Sequence, residues 1–470
     1  IEEFDLANPI FDTLPNGVFT GVVDYHRLYQ GDVQSTFDRN LRQALGLPVD
    51  GLEYIDLYSI TPNQLSLNYF GPDELLNNGN EYVTYYGYDI YGNKTKESRN
   101  GSLKDFFDSQ GSQRYIQPFA PILQSAYIQD KFAIDDLILK VGVRFERYDA
   151  NQKVLKDRYL LFDAYKAGYQ NEAGNFWDGL TDYTDGTNNI HPSTIGDDYV
   201  VYVNQASGPT AVVGYRDGDQ WYNAIGNEIS DPSVLADLSD GKITPYLINP
   251  DDAADNIINV NAFKDYEPEL IIMPRVAFSF PISDEAQFHA HYDVLTQRPQ
   301  SNSRLDPIQY LYLRDVVSPV LNNPALKPEK TVDYEVGFSK KLNLRSSLVI
   351  SAFYKEMRDM ITRVNTLGAY PQKYITYGNE DFGTVKGLTL KYDLRRTNNV
   401  QLYASYTLQF TDGTGSSAST GEAIVNSGYP NLRSTSPLDF DQRHALSATV
   451  DYHYARGKNY NGPIIFGQKI

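Results

Sequence analysis

From Ile122 to Tyr454 the chain alternates apolar and polar residues in successive pairs of segments, each of roughly ten residues. Turns of two to four residues join the members of each pair, and connections of about 120, 30, 25 and 30 residues separate them. Period-two alternation gives each strand one apolar face. Short turns at one end and long loops at the other are typical of a transmembrane β-barrel of the bacterial outer membrane. The pattern therefore predicts an all-β, antiparallel transmembrane barrel.

Nine strands follow from this alternation. The second is the clearest, because Leu139 and Val141 point one way while Lys140 and Arg144 point the other. A tenth strand is predicted to begin at residues 464–466. The nine predicted strands span residues 124–134, 137–148, 270–282, 286–295, 331–341, 346–357, 384–396, 400–410 and 443–454.

The chain divides into two predicted regions. Residues 1–120 show no sustained alternation, so we predict an extracellular loop region there, with one short helix over residues 35–45. Residues 121–470 are predicted to form barrel strands and to include a long extracellular loop over 149–269. That loop is acidic, with 21 Asp and Glu against 7 Lys and Arg, a net charge of −14.

Composition excludes several classes of protein. The net charge of −19 argues against a nucleic-acid partner. The absence of cysteine rules out disulfides, thiolate zinc sites and thiol catalysis. Mean hydropathy is −0.45, and no segment approaches the roughly 18 apolar residues of a membrane helix. The 38 tyrosines suit an aromatic girdle in contact with outer-membrane lipid, although they equally suit a sugar-binding surface.

Four short motifs in order resemble the TonB-dependent outer-membrane receptors, particularly the large-loop members of the Bacteroidota. Glu146 stands where that family usually has Asp, and Thr389 where it usually has Glu. The matching segments are YIQDK at 127–131 with GVRF at 142–145, NPALKPE at 323–329 followed by YEVG at 334–337, GTVKGLTL at 383–390, and DQRH at 441–444.

This resemblance implies a barrel of about 22 strands whose lumen holds a plug domain. Because the chain supplies only nine or ten strands and no plug, we expect it to be the middle part of a longer protein. The resemblance also implies import of a scarce solute (a glycan, peptide or metal chelate), driven by the TonB–ExbB–ExbD machinery. A surface lipoprotein is a further expected partner.

Charged and polar residues on the predicted strands are expected to face the lumen and to contact the plug or the passing solute. An alternative is that these side chains are merely hydrated, with some pairing across strands. The candidate site residues are Arg144, Glu146, Arg275, His289, His291, Asp293, Asp333 and Glu335.

Other chemistry receives little support from the sequence. His289 and His291 have a metal-ligand spacing, but a polar lumen wall explains them better, because no third ligand lies nearby. Residues 251–255 and 217–219 offer carboxylates to calcium, without the spacing of an EF-hand loop. We therefore expect no cofactor and no enzymatic activity.

Two other functions fit the same pattern. One is a barrel that serves as a scaffold or adhesin within an outer-membrane assembly, without active transport. The other is a secreted, tyrosine-rich β-sandwich that binds sugars, which would be soluble without detergent. A plug and a TonB-contacting segment encoded upstream would favour the transporter over the scaffold.

Overall fold

The computed structural model describes residues 4–27, 34–49, 51, 55–79, 81, 86–95, 99–109, 114–170, 191–428 and 434–469. Strands dominate this part of the chain, and none of its helices is long and apolar enough to cross a membrane. The strands are β1 (Phe4–Thr13), β2 (Phe19–Arg27), β3 (Ile122–Ile134), β4 (Leu137–Asp149), β5 (Lys153–Leu155), β6 (Val200–Val203), β7 (Val212–Asp217), β8 (Gln220–Asn223), β9 (Glu228–Ile229), β10 (Thr244–Pro245), β11 (Phe263–Asp265), β12 (Glu269–Ser283), β13 (Ala286–Gln297), β14 (Glu329–Asn343), β15 (Ser346–Thr366), β16 (Tyr374–Thr397), β17 (Val400–Gly413), β18 (Ser436–Pro437), β19 (His444–Tyr452), β20 (Ile464–Ile465) and β21 (Gln468–Lys469). The α-helices are α1 (Thr36–Leu45), α2 (Arg99–Phe107), α3 (Ser233–Ala236), α4 (Pro250–Ala254), α5 (Pro307–Leu311) and α6 (Glu422–Asn426). Single 3-10 turns span Leu57–Ser59, Pro62–Gln64, Leu67–Tyr69, Asn77–Gly79, Val260–Ala262 and Gly457–Asn459.

All nine predicted strands are present, and they form one sheet. Its order is β3–β4–β12–β13–β14–β15–β16–β17, with both β18 and β19 paired to β17. Every pair is antiparallel, so the sheet is an up-and-down meander. The onset predicted at residues 464–466 is a two-residue strand in a separate hairpin, β20–β21.

The four tight turns lie at one end of this sheet. They are two residues each, at 135–136, 284–285, 344–345 and 398–399. Asn398 and Asn399 both have positive φ, 48° and 75°, as in the turns that suit the right-handed twist of a two-residue hairpin. Because neighbouring hairpins are joined in sequence order, all the long connections leave from the opposite end.

One face of the sheet is apolar and uncovered in the described part of the chain. Ile128 is 69 % exposed, Val336 49 % and Leu446 76 %, on three strands spread across the sheet. A water-soluble protein rarely leaves an apolar surface of this extent open. The face therefore matches the lipid-contacting band of a membrane barrel.

β15 and β16 extend far beyond their predicted ends. The predicted connection of about 25 residues was wrong, since only residues 367–373 separate the two strands. Their pairing shifts register around Asp359, which has a positive φ of 57°. Such a bulge moves the following side chains to the other face and hides the continuing strand from a period-two search. With 21 and 24 residues, these strands are about twice the length that a barrel strand needs to cross a bilayer.

Beyond the sheet, the long connections pack into one body, which we name the cap. It comprises the described residues of 99–120, 150–268 and 303–328, together with the strand tips at 361–377. Its largest hydrophobic core joins all four segments through buried residues such as Leu103, Tyr202, Tyr310 and Tyr374. Within it β10–β6–β7–β8–β9 form a five-stranded sheet. The described part of the acidic connection is thus folded: it contributes to this shared core and has a smaller core of its own that includes Val201 and Tyr215. Its extracellular location, like that of residues 1–120, stays a prediction.

Residues 1–120 contain the predicted short helix, together with two strands and a second helix that were not predicted. α1 begins after Ser35, whose Oγ accepts a hydrogen bond from the Asp38 amide, and ends at Gly46 in the left-handed conformation. β1 and β2 form an antiparallel hairpin with two register shifts. Pro9 and Gly21 lie in these strands and weaken the alternation that would have revealed them. α2 also went unpredicted.

Candidate functional site

All eight candidate residues lie on one face of the main sheet, opposite the exposed apolar face. Cross-strand partners in an antiparallel sheet project to the same side. Register pairs Arg275 with Asp293 and Asp293 with Asp333, while His291 pairs with Glu335. The two-residue period then places Arg144, Glu146 and His289 on this side. We name it the polar face; that it lines a barrel lumen stays a prediction.

A row of four charged residues crosses the centre of the polar face. Arg275, Asp293, Asp333 and Lys355 are successive register partners on β12 to β15. Arg275 Nε lies 2.7 Å from Asp293 Oδ1, and Lys355 Nζ lies 3.0 Å from Asp333 Oδ2. Each carboxylate therefore has its own cation, and the row is neutral overall. Lys355 was not a candidate, although its register opposite Asp333 could have indicated it.

A second charged cluster lies nearer the edge of the sheet. Arg144 Nε donates to Glu146 Oε1 at 2.7 Å, and Arg144 Nη2 donates to Ser125 Oγ at 3.0 Å. This arrangement links β3 to β4 by side chains as well as by backbone. The cross-strand charge pairing that the sequence suggested is therefore present in the central row, whereas here the ion pair lies within β4 and a hydrogen bond to Ser125 crosses to β3. Contact of either cluster with a solute or plug is untested.

The two histidines are aligned with Glu335 rather than with each other. His289 Nε2 lies 3.7 Å from Glu335 Oε1, and His291 is the register partner of Glu335. Within the described ranges, no three His, Cys, Asp or Glu residues are grouped so that they could hold a metal ion. The structure therefore places both histidines on the polar face, and among the described residues it brings no third metal ligand to them.

The acidic segments considered for calcium have defined positions in the cap. Asp251 and Asp252 lie in the first turn of α4, with Asp255 at its C-terminal end. Asp217 ends β7, and residues 218–219 form the tight turn to β8. Negative charge in the first turn of a helix is favourable without any ion. Calcium binding at either place stays a prediction.

The most elaborate polar arrangement is in the cap, and the sequence analysis missed it. Arg216 on β7 is 2 % exposed, yet its guanidinium is well supplied with acceptors. Its Nε donates to Tyr202 Oη at 2.8 Å, its Nη1 to the Gly218 carbonyl at 2.6 Å, and its Nη2 to Asp157 at 2.5 Å. Burial raises the pKa of Tyr202, so this phenol stays neutral and accepts the hydrogen bond.

Aromatic rings surround the same guanidinium. The Arg216 Cζ atom lies 4.7 Å from the ring centre of Tyr159 and 5.5 Å from that of Trp221. A desolvated cation over aromatic faces is stabilised by their quadrupoles. One available signal was Arg216 itself, a basic residue immediately before Asp217 in a strongly acidic stretch. Trp221 is close in sequence, but Tyr159 and Asp157 precede Arg216 by more than 50 residues, so the cage could not be assembled from the sequence alone.

A further buried cluster ties residues near position 86 to the cap. Tyr86 Oη donates to Asp306 Oδ2 at 3.1 Å, and the Arg304 guanidinium lies over the Tyr86 ring. Burial raises the pKa of Tyr86 to about 12 and also raises the pKa of Asp306. Asp306 additionally caps α5 by accepting from the Ile308 amide at 3.2 Å. The cap is thus joined to the first part of the chain by hydrogen bonds.

Taken together, these features define the class of protein. An antiparallel meander with short turns at one end, an exposed apolar face and an ion-paired polar face is the wall of an outer-membrane β-barrel. The cap rises from the end that carries the long connections.

The chain belongs to the family of TonB-dependent receptor-like β-barrels, because the sequence profile of that family matches residues 7–467. Members are receptors and transporters of the bacterial outer membrane, and this chain is a barrel protein of that membrane. This confirms the family resemblance; the origin in Bacteroidota stays a prediction. Among curated proteins, no match to the chain is found.

Solved structures of outer-membrane receptors are similar to the chain at low sequence identity. The alcaligin receptor FauA of Bordetella pertussis is 12 % identical over 72 % of this chain and 35 % of its own, with a TM-score of 0.32. The ferric yersiniabactin uptake receptor FyuA of Yersinia pestis is 11 % identical over 72 % of this chain and 32 % of its own, with a TM-score of 0.33. The ferripyoverdine receptor of Pseudomonas aeruginosa is 12 % identical over 72 % of this chain and 36 % of its own, with a TM-score of 0.30. The chain spans about a third of the length of these receptors.

Proposed function

We propose that this protein takes part in energised import across the outer membrane. Its cap captures a scarce solute, and its barrel admits the solute when the TonB–ExbB–ExbD machinery acts from the inner membrane. The solute is a glycan, a peptide or a metal chelate. A surface lipoprotein is the second partner that we propose.

The observation that carries this proposal is the folded cap at the long-connection end of the sheet. A passive scaffold needs only a stable barrel, whereas the cap adds a hydrophobic core drawn from four separate segments and a buried, caged arginine. Long ordered loops of this kind are usually functional. The ion-paired polar face supports the same proposal, because it offers a hydrated wall beside which a polar solute can pass.

Depletion of solutes from the growth medium tests the proposal directly. Three strains of the native host are compared: the parent, a strain lacking this protein, and a strain lacking TonB. We expect at least one solute to be consumed by the parent and to remain in the medium of both deletion strains. Re-expression of the protein should restore its uptake only where TonB is present.

The scaffold alternative predicts a different pattern. If the protein only holds an assembly together, its deletion changes the composition of outer-membrane complexes while every solute is consumed at the parental rate. Uptake that depends on the protein but not on TonB would instead indicate a passive pore. Either pattern would contradict the import proposal.

A further inference from the structure

A cleft of about 520 Å³ opens in the cap beside the caged arginine. It lies between residues 156–166 and the adjoining ends of β6 and β7, and a solute of small-molecule size fits this volume. Charged side chains make up most of its lining. They fall into two groups with different roles.

The first group forms a rigid, internally neutralised floor. Arg216 is buried and bonded to Asp157, and Arg158 Nη2 lies 2.8 Å from Asp219 Oδ1. Tyr159 is buried, and both guanidinium groups lie over its ring, at 5.1 Å for Arg158 and 4.7 Å for Arg216. These cations already have partners, so the floor has little net charge to offer a ligand.

The second group consists of Lys156, Lys166, Asp198 and Asp217. All four are exposed at the cleft, and none forms an ion pair with any residue that the structure describes. Desolvation beside the cleft wall lowers the pKa of the Lys166 ammonium, although nearby carboxylates act in the opposite direction. The cleft thus presents two ammonium groups and two carboxylates to solvent.

This charge arrangement selects among solutes. A simple anion would meet Asp198 and Asp217, and a simple cation would meet the two lysines. A neutral sugar gains most from stacking on an exposed aromatic ring, and the Tyr159 ring is already covered by two guanidinium groups. A molecule with an ammonium at one end and a carboxylate at the other satisfies both pairs through charge-assisted hydrogen bonds.

We propose that this cleft binds zwitterionic solutes, namely short peptides with free termini. The lysines bind the terminal carboxylate, and the two aspartates bind the terminal ammonium. The inference rests on the proposed import function, for which it names the substrate class. It also narrows that class from glycan, peptide or chelate to peptide.

Binding of capped and uncapped peptides tests the inference. The full-length receptor in detergent is incubated with a tripeptide library that has free termini, the same library acetylated at the amino end, the same library amidated at the carboxyl end, and maltotriose. Native mass spectrometry counts the bound molecules. Because each capping removes one charge-assisted contact, we expect it to weaken binding by about tenfold or more. Maltotriose should not bind.

Variants assign each terminus to its partner. In Lys156→Gln/Lys166→Gln, free and amidated peptides should bind equally, while the preference over acetylated peptides remains. In Asp198→Asn/Asp217→Asn, free and acetylated peptides should bind equally, while the preference for free over amidated peptides remains. Matched controls are Lys242→Gln and Asp237→Asn, exposed cap residues outside the cleft, which should retain both preferences.

Several outcomes would overturn the inference. These are equal binding of free and capped peptides by the unaltered receptor, no peptide binding, preferential binding of maltotriose, or unchanged preferences in both double variants. The result on the unaltered receptor holds even where a variant fails to fold. Peptide binding of the expected kind without TonB-dependent uptake would refute import and leave the inference intact. TonB-dependent uptake by a receptor that ignores peptide termini would refute the inference alone.

Discussion

The main sheet and the cap arrange their apolar side chains in opposite ways. In the sheet, Ile128 and Val336 point outward and stay exposed, while charged residues pair on the other face. In the cap, Tyr202 and Leu235 are fully buried and the charges lie at the surface or around a cleft. The difference indicates two solvents for one chain, since lipid takes the place of a core in the first region and water imposes a core on the second.

The caged arginine should be the most sensitive position in the cap. Arg216→Ala removes the cation that neutralises Asp157 and leaves a cavity beside two aromatic rings, so we expect the cap to lose about 3–5 kcal/mol. Hydrogen exchange of the β6–β8 amides measures this loss. Amides of the main sheet outside the strand tips at 361–377 should keep their protection, because those tips are the part of the sheet that contributes to the cap core.

Arg158→Ala is the matched control, because Arg158 is also paired with an aspartate but its side chain is 42 % exposed, against 2 % for Arg216. It should cost less than about 1 kcal/mol. Equal effects of the two variants would contradict the view that the cap has a dry interior. Loss of protection throughout the main sheet in Arg216→Ala would contradict the separation of the two regions.

An arginine on the apolar face should destabilise the sheet. Val336→Arg places a charge in the lipid band and should cost about 2–4 kcal/mol. Ser339→Arg, on the same strand but the polar face, should cost little because water reaches that side. The fraction of folded barrel on unheated gels, together with urea unfolding in lipid vesicles, compares the two. A larger loss in Ser339→Arg would reverse the assignment of the faces.

The coupling energy between Arg275 and Asp293 reports whether water reaches the polar face. A double-mutant cycle with Arg275→Ala and Asp293→Ala should give a coupling of about 0.2–1 kcal/mol, the range of hydrated pairs. Urea unfolding of the four proteins in vesicles provides the values. A coupling of several kcal/mol would place the pair in a dry environment, and the polar face would then resemble the interior of the cap.

The smallest expected effect is a pH dependence at the base of the cap. Burial raises the pKa of Asp306, so the folded cap favours the neutral carboxyl group. The stability that Asp306 contributes to the cap is therefore fully present below the ordinary Asp pKa, and it is lost as the pH rises through the raised pKa of the folded state. Exchange of the α5 amides, corrected for intrinsic rates, should be slower at about pH 4 than at pH 7.

Asp306→Asn should remove this difference, because the amide can still cap α5 and carries no charge. Asp237→Asn, an exposed cap residue, should leave it unchanged. Slower exchange at neutral pH than in acid would show that the Asp306 carboxylate is stabilised rather than penalised.

The same contrast explains what could be predicted from the sequence. Sheet strands pair with neighbours in sequence, so alternation alone located all nine, and it failed only where the bulge at Asp359 reversed the faces of β15. The candidate residues fell on one face for the same reason. The cap depends on contacts such as Tyr86 with Asp306, which are 220 residues apart and leave no periodic trace. The cage around Arg216 and the cleft beside it could therefore not be predicted from the sequence.

The central claim is that the apolar face contacts lipid and the polar face contacts water. The chain has no cysteine, so single cysteines at residues 334–341 of β14 can each carry a spin label. In lipid vesicles, accessibility to oxygen should peak at 334, 336 and 338, while accessibility to a water-soluble nickel chelate should be higher at 335, 337 and 339. Equal accessibility of both rows to the nickel chelate would contradict the account.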